Sequence, residues 1–242
     1  MIETITAVVL AGGKGTRIAA LYPGIPKPMI PVAGQPFLHW VTTWLADNGI
    51  RDVVYSIGHL AGTIADWVAA QERTWPGLRL RIVTEAEPLG TGGAVCGCLD
   101  LCGAWVLVIN GDSMIKADLA PIVDRLRTED LDGALIGVAV ADASRYGSLH
   151  MDGSGRLRGF FEKRPGSGVI NGGVYLLRRE LLARFPAGVA LSMETDIIPG
   201  LLAQGARLTV AISDAPFLDI GTPESVKLAD GFIRRAFPAG PT

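Results

Sequence analysis

Val8-Val9-Leu10-Ala11-Gly12-Gly13-Lys14-Gly15-Thr16-Arg17 runs from an apolar strand pattern into three glycines and two cations within one turn. Such a segment lets a buried strand deliver bare backbone to a polyanion. Glycine allows positive φ and close approach because it has no Cβ. Free N–H groups at the start of a following helix would attract phosphate, and Lys14 and Arg17 add positive charge. Spacing excludes the two commonest phosphate grips. A Walker loop needs Gly-Lys-Ser/Thr, but Lys14 is followed by Gly15. A dinucleotide fingerprint from Gly13 and Gly15 needs Gly or Ala where Ile18 stands. No acidic residue closes the next apolar run, Val53-Val54-Tyr55-Ser56-Ile57, as a ribose partner would. A solvated glycine turn is the plain alternative.

Outward from this turn, apolar runs of strand length alternate with segments of helical period, the grammar of an α/β sheet. Strands are expected over 5–10, 52–57, 80–84, 105–109 and 133–141, with helices over 36–48, 64–72 and 117–128. Trp105-Val106-Leu107-Val108-Ile109 is continuously apolar, as in a strand covered on both faces. Beyond 141 a hairpin is expected from 147–151 and 156–161 around Asp152-Gly153-Ser154-Gly155. Strands at 168–177, 207–212 and 216–220 and helices at 179–185, 194–204 and 223–236 follow. No linker or repeat interrupts the pattern. The expectation is one domain over 1–242, with a first half to about 142 and a second half from about 143.

Of the 242 residues 49% are hydrophobic, enough for one substantial core without staples. The net charge of −2 gives no field for nucleic acid, so an anionic ligand must be held by local cations. No apolar stretch spans a bilayer and no cleavable leader precedes the first strand, so no membrane association and a cytoplasmic location are expected. Cys96, Cys98 and Cys102 lack zinc spacing and have no histidine near in sequence, so a buried small-residue helix is expected there.

Several loops repeat the opening theme. Pro26-Lys27-Pro28 stiffens the chain around one lysine, either to fix its ammonium over a site or as a surface turn. Glu87-Pro88-Leu89-Gly90-Thr91-Gly92-Gly93-Ala94 is a second glycine-rich strand-to-helix turn, a backbone against which a planar base could lie. Glu85 or Glu87 could accept hydrogen bonds from that base, or instead cap the next helix. A carboxylate pairs with the adjacent N–H donors of guanine better than with uracil, which favours GTP. Asp112 ends the most apolar strand and Asp219 ends a later one. Carboxyl ends of central strands face the ligand crevice of open α/β sheets, although a turn-capping Asp is an equal reading. Two strand-end carboxylates suit a hard cation sharing phosphate oxygens, most simply Mg2+.

Six motifs occur in order: Leu10 to Arg17, Pro26-Lys27-Pro28, Asn110-Gly111-Asp112, Phe161-Glu162-Lys163, Asn171-Gly172-Gly173-Val174-Tyr175 and Asp219-Ile220-Gly221-Thr222-Pro223. The set resembles the sugar-1-phosphate nucleotidyltransferases over about residues 5–230. Glu85 to Ala94 and the short length are similar to the D-glycero-D-manno-heptose-1-phosphate guanylyltransferases, and mannose-1-phosphate guanylyltransferases share that segment. The resemblance implies a Rossmann-like, mainly parallel mixed sheet flanked by helices, with a smaller sugar-binding lobe. It implies a nucleoside triphosphate and a sugar 1-phosphate as partners, Mg2+ as cofactor, and a nucleotide sugar for surface polysaccharide as product. Self-association into a homodimer is also expected.

Residue by residue, it implies that Leu10, Ala11 and Gly12 offer backbone to the base. Gly13, Gly15, Thr16 and Arg17 lie along the triphosphate, with Gly90, Thr91 and Gly92 completing the nucleotide side. Arg17, Lys27 and Lys163 match catalytic cations, and Asp112 and Asp219 match metal ligands. Gly111, Glu162, Lys163, Asn171, Gly172 and Glu194 match the sugar pocket. The pattern departs at Arg164, which stands where proline often follows Glu-Lys. A uridylyl- or cytidylyltransferase on another sugar phosphate is the within-class alternative. A catalytically silent nucleotide-sugar-binding subunit is the alternative of another class, and it would be expected to lack a metal carboxylate or the turn's arginine. The chain ends soon after 223–236, so no appended acyltransferase domain is expected.

Overall fold

A computed structural model of the chain describes residues 2–144, 148–161 and 166–238. Its centre is a nine-stranded sheet of β1 (Ile5–Leu10), β2 (Asp52–Ile57), β3 (Arg79–Thr84), β4 (Trp105–Asn110), β5 (Gly133–Val140), β6 (Ser148–Met151), β7 (Leu157–Phe161), β8 (Gly168–Arg178) and β9 (Leu208–Ser213). The first four strands are parallel in the order β3-β2-β1-β4, the arrangement of a doubly wound dinucleotide fold. β8 then runs antiparallel to β4 through Val174 to Arg178. Its other edge takes β5, and β9 adds parallel to β5. The hairpin β6-β7 joins beside the first half of β8 through Ile170 and Ser148.

Alternation within the strands divides the core. Ile5, Ala7 and Val9 face one side, while Val8 faces the other. The first side is covered by α1 (Phe37–Asp47), α2 (Ala61–Ala70), α4 (Ala120–Thr128) and α7 (Pro223–Ala236), the second by α3 (Gly90–Gly97), α5 (Arg179–Leu182) and α6 (Ile198–Ala203). The expected mainly parallel mixed sheet flanked by helices is therefore borne out. Among the described residues no helix is long and apolar enough to cross a membrane.

Local chemistry explains the element ends. α7 matches its expected span, 223–236, because Thr222 and Ser225 form a reciprocal capping box and Pro223 sits in the first turn. α4 starts three residues later than expected because the Asp118 carboxylate accepts from Ala120 N at 2.9 Å. The expected 194–204 helix begins instead as a π-helical turn, Met193–Ile197, and continues as α6 from Ile198. Pro199, which has no N–H, sits in the first turn of α6.

The opening glycines differ from expectation. No α-helix follows them; among the described residues the first is α1. Turns follow Gly15, whose carbonyl accepts from Ile18 N and Ala19 N, and the chain then reaches a short 3-10 turn, Lys27–Met29. The opening loop thus offers backbone amides and side chains without a helix N-terminus of its own. Cys98 lies fully buried, and burial pushes its thiol up to about 12.

Candidate functional site

A cleft of about 390 Å³ opens at the carboxyl ends of β1, β3 and β4. Its wall includes Leu10, Ala11, Gly12, Gly13, Gly15, Thr16 and Arg17 from the opening segment, Lys27 and Pro28, Glu85, Gly90, Thr91, Asn110 and Asp112. The opening loop is tied down before it reaches the cleft. Ala11 N donates to Ser56 O at 2.8 Å, and Gly12 O accepts from His59 N at 3.2 Å. Glycine fits closely at 12, where a Cβ would stand 2.8 Å from Glu85 Oε1 and 3.3 Å from Gly58 N. Gly15 takes φ +56 and lies against the Lys27 stem. Gly13 meets no such neighbour and leaves its backbone open to the cleft.

Lys27 joins the two carboxylates. Its Nζ donates to Asp112 Oδ2 at 2.5 Å and lies 3.7 Å from Asp219 Oδ1. Asp219 is oriented by Gly221 N, which donates to its Oδ1 at 2.5 Å. The short strands Ser113–Ile115 and Phe217–Asp219 pair antiparallel, so residues far apart in sequence meet at one corner. Among the described residues no cluster of three or more acidic, histidine or cysteine ligands occurs. Two carboxylates therefore fit a hard cation whose remaining ligands come from substrate phosphate and water.

Glu85 and Glu87 separate. Glu85 reaches the cleft, with Oε1 accepting from Ser56 Oγ at 3.0 Å and Oε2 from Leu89 N at 3.1 Å. It thus fixes the turn into α3, and the residue-level case for guanine loses its free carboxylate. A lone pair on each oxygen remains for a ligand. Glu87 is exposed and stands off the cleft wall.

The second glycine turn is also not a free surface. α3 begins at Gly90, and Gly92 N and Gly93 N donate to Leu191 O at 2.7 and 3.2 Å. Gly92 is buried against Leu191 and Ile197 instead of facing a nucleotide, whereas Gly90 and Thr91 do line the cleft. Gly111 is likewise buried: a Cβ there would stand 2.6 Å from Leu10 O, so it allows β4 to leave the sheet beside β1 and does not line the cleft.

Beyond Thr91, Asn171 and Glu194, both expected on the sugar side, are joined in a chain of hydrogen bonds. Asn171 Nδ2 donates to Tyr175 Oη at 2.5 Å, and Tyr175 donates to Glu194 Oε1 at 2.7 Å. Ser192 Oγ and Thr91 Oγ1 donate to Glu194 Oε2 at 3.0 and 3.4 Å. Thr91 Oγ1 also accepts from Met193 N at 2.8 Å. Burial and the Glu194 carboxylate hold the Tyr175 hydroxyl well above its usual range. Gly172 is buried behind this chain, near Ile136 O. Glu162, Lys163 and Arg164 lie outside the described residues. Sequence reasoning did not single out Tyr175, which looks like an ordinary strand residue, or Asn110. The Asn110 side chain borders the cleft, and its Oδ1 finds no hydrogen-bond partner among the described residues.

The family model described as Nucleotidyl transferase matches residues 6–235. The chain belongs to the nucleotidyl transferase family. It is 34% identical over 241 residues to the mannose-1-phosphate guanylyltransferase of Mycobacterium tuberculosis, covering 98% of this chain and 67% of that protein. It is 32% identical over 219 residues to the D-glycero-alpha-D-manno-heptose 1-phosphate guanylyltransferase of Campylobacter jejuni, covering 90% and 95%. The crystal structure of HddC from Yersinia pseudotuberculosis complexed with GMP-PN aligns with TM-score 0.82 at 33% identity, over 93% of this chain and 98% of that one. The family resemblance read from the six motifs is borne out.

Proposed function

We propose that this chain joins GTP to D-glycero-α-D-manno-heptose 1-phosphate, giving GDP-heptose and pyrophosphate. The observation that carries the transfer chemistry is a cleft lined by the glycine loop, Arg17, Lys27 and Asp112, with Lys27 set against both Asp112 and Asp219. Choice of base and sugar is supported by the guanylyltransferase relatives and by a structural neighbour complexed with GMP-PN. Mannose 1-phosphate is the second reading, favoured by the Mycobacterium relative.

A sugar-phosphate oxygen attacks the α-phosphorus. The bond from that phosphorus to the oxygen bridging the β-phosphate breaks, and pyrophosphate leaves with the electron pair. The attacking oxygen is already ionised at neutral pH, so no general base is required. The barrier is the meeting of two polyanions, which makes alignment and charge neutralisation the work of the site. Loop amides from Gly12 to Thr16 would receive the triphosphate, while Arg17 and Lys27 would neutralise it. Lys163 and Glu162 are assigned to the sugar phosphate and sugar by resemblance. Asn171 and Glu194 are assigned to sugar hydroxyls, with Tyr175 holding both. Asp112 and Asp219 would hold Mg2+, which supplies positive charge to the phosphate oxygens when bound.

We treat residues 1–242 as one catalytic domain, expected to work as a homodimer in the cytoplasm and to supply a surface-polysaccharide pathway. Pyrophosphate release measured across GTP, UTP, CTP and dTTP against heptose, mannose and glucose 1-phosphates tests the proposal. The expected maximum is GTP with the heptose phosphate. A maximum with UTP, or with mannose 1-phosphate, replaces the base or the sugar respectively.

A further inference from the structure

The Lys27 ammonium lies against one oxygen of each of the two carboxylates that would hold a divalent cation. It is 2.5 Å from Asp112 Oδ2 and 3.7 Å from Asp219 Oδ1, with a side chain only 9% exposed. A metal ligated by those carboxylates would sit within a few ångströms of the ammonium, and two cations that close repel each other and compete for the pair. The Lys27 backbone cannot retreat. It is flanked by Pro26 and Pro28, and the surrounding turn is closed by Met29 N donating to Pro26 O and Ile30 N donating to Lys27 O. The four-carbon stem can swing, since an ammonium has three donors and no fixed plane. The stem also touches the opening loop, where a Cβ on Gly15 would meet Lys27 Cβ at 3.0 Å.

We infer that Lys27 is the resident counter-ion of the Asp112–Asp219 pair in the free protein. The phosphates of an arriving nucleotide draw it off and so open the carboxylates to the metal. This rests on the reading that these two carboxylates hold the cation. Metal affinity of the free protein is then low by design of the site, and metal and nucleotide bind with positive coupling. Removing the ammonium should raise the metal affinity of the nucleotide-free protein.

The test uses Mn2+ as the probe, with free Mn2+ read by electron paramagnetic resonance on the full chain, with and without a non-hydrolysable guanosine triphosphate analogue. For the wild type the analogue is expected to tighten Mn2+ by about tenfold or more, the scale of one charged hydrogen bond. Lys27→Met is expected to bind Mn2+ without nucleotide about tenfold more tightly than the nucleotide-free wild type. Arg17→Met, which removes a cleft cation that does not touch the carboxylates, is expected to leave nucleotide-free affinity unchanged. Equal affinities for wild type and Lys27→Met without nucleotide, or an equal rise in Arg17→Met, overturn the inference alone. Unchanged Mn2+ binding by nucleotide-loaded Asp112→Asn overturns the metal assignment and the inference with it. Should Lys27→Met fail to fold, acetylation of wild-type lysines read by mass spectrometry decides. Lys27 is expected to react slowly in the free protein and faster as Mg2+ alone is raised, and an unchanged rate contradicts the inference.

Discussion

Lys27 and Arg17 carry the charge of the cleft from different positions, one held between prolines and carboxylates, the other exposed on the glycine loop. Replacing Arg17 by Ala is expected to lower kcat by on the order of a hundredfold, the scale of a lost transition-state donor, without unfolding the protein. Steady-state kinetics on a variant of native circular dichroism checks this. Gly12 is limited by space: Gly12→Ala would place a methyl 2.8 Å from Glu85 Oε1 and against the Gly58 backbone. It is expected to displace the loop and weaken nucleotide binding, read by calorimetric titration, more than Gly13→Ala, whose methyl meets nothing. At this scale the sequence was most legible where charge and glycine stood together in one loop. Gly92, Gly111 and Glu87 stand off the cleft wall because their surroundings come from Leu191, Leu10 and open solvent, none of which is readable from the local motif.

α3 and the segment ahead of α6 act as one element although about a hundred residues separate them. Leu191 O receives two α3 amides, Leu191 N returns a bond to Leu89 O, and Thr91 links to Met193 and Glu194. The cleft-lining turn into α3 and the Glu194 carboxylate are therefore mechanically joined. Thr91→Val keeps the shape and removes the hydroxyl, leaving Met193 N without its acceptor. It is expected to raise KM for the sugar phosphate more than KM for the nucleotide, as initial-rate kinetics with each substrate varied would show. Gly93→Ala would bring a methyl to 2.3 Å from Val189 O and 2.9 Å from Leu89 Cβ. Neither atom can move cheaply, so a loss of about 1–3 kcal/mol in urea unfolding is expected. Regular elements were legible from period alone: β1, β2 and α7 fall on their expected residues. The second glycine turn was legible as a strand-to-helix turn, but not the distant Leu191 carbonyl on which the first amides of that helix depend.

The whole molecule carries a buried titration on the face opposite α3. His39 lies 4% exposed between Trp40 and Trp75, and its Nε2 has no hydrogen-bond partner among the described residues. Burial lowers its pKa below the ordinary 6.5, so the folded state resists the proton that the unfolded chain accepts. Below 6.5 the unfolded state then binds more protons, and stability falls as pH drops until the lowered value is passed. His39→Gln is expected to reduce the fall in urea midpoint between pH 7.5 and 5.5; an unchanged fall would mean that His39 does not contribute.

For the molecule as a transferase, the most direct measurement is phosphorus-31 NMR of the wild-type protein with GTP, heptose 1-phosphate and Mg2+. Transfer to the α-phosphorus gives two coupled diphosphate resonances of a nucleotide sugar and an equal amount of pyrophosphate, and Asp112→Asn should suppress both. Orthophosphate and GDP as the products, or full turnover by Asp112→Asn, would contradict the assignment of this cleft.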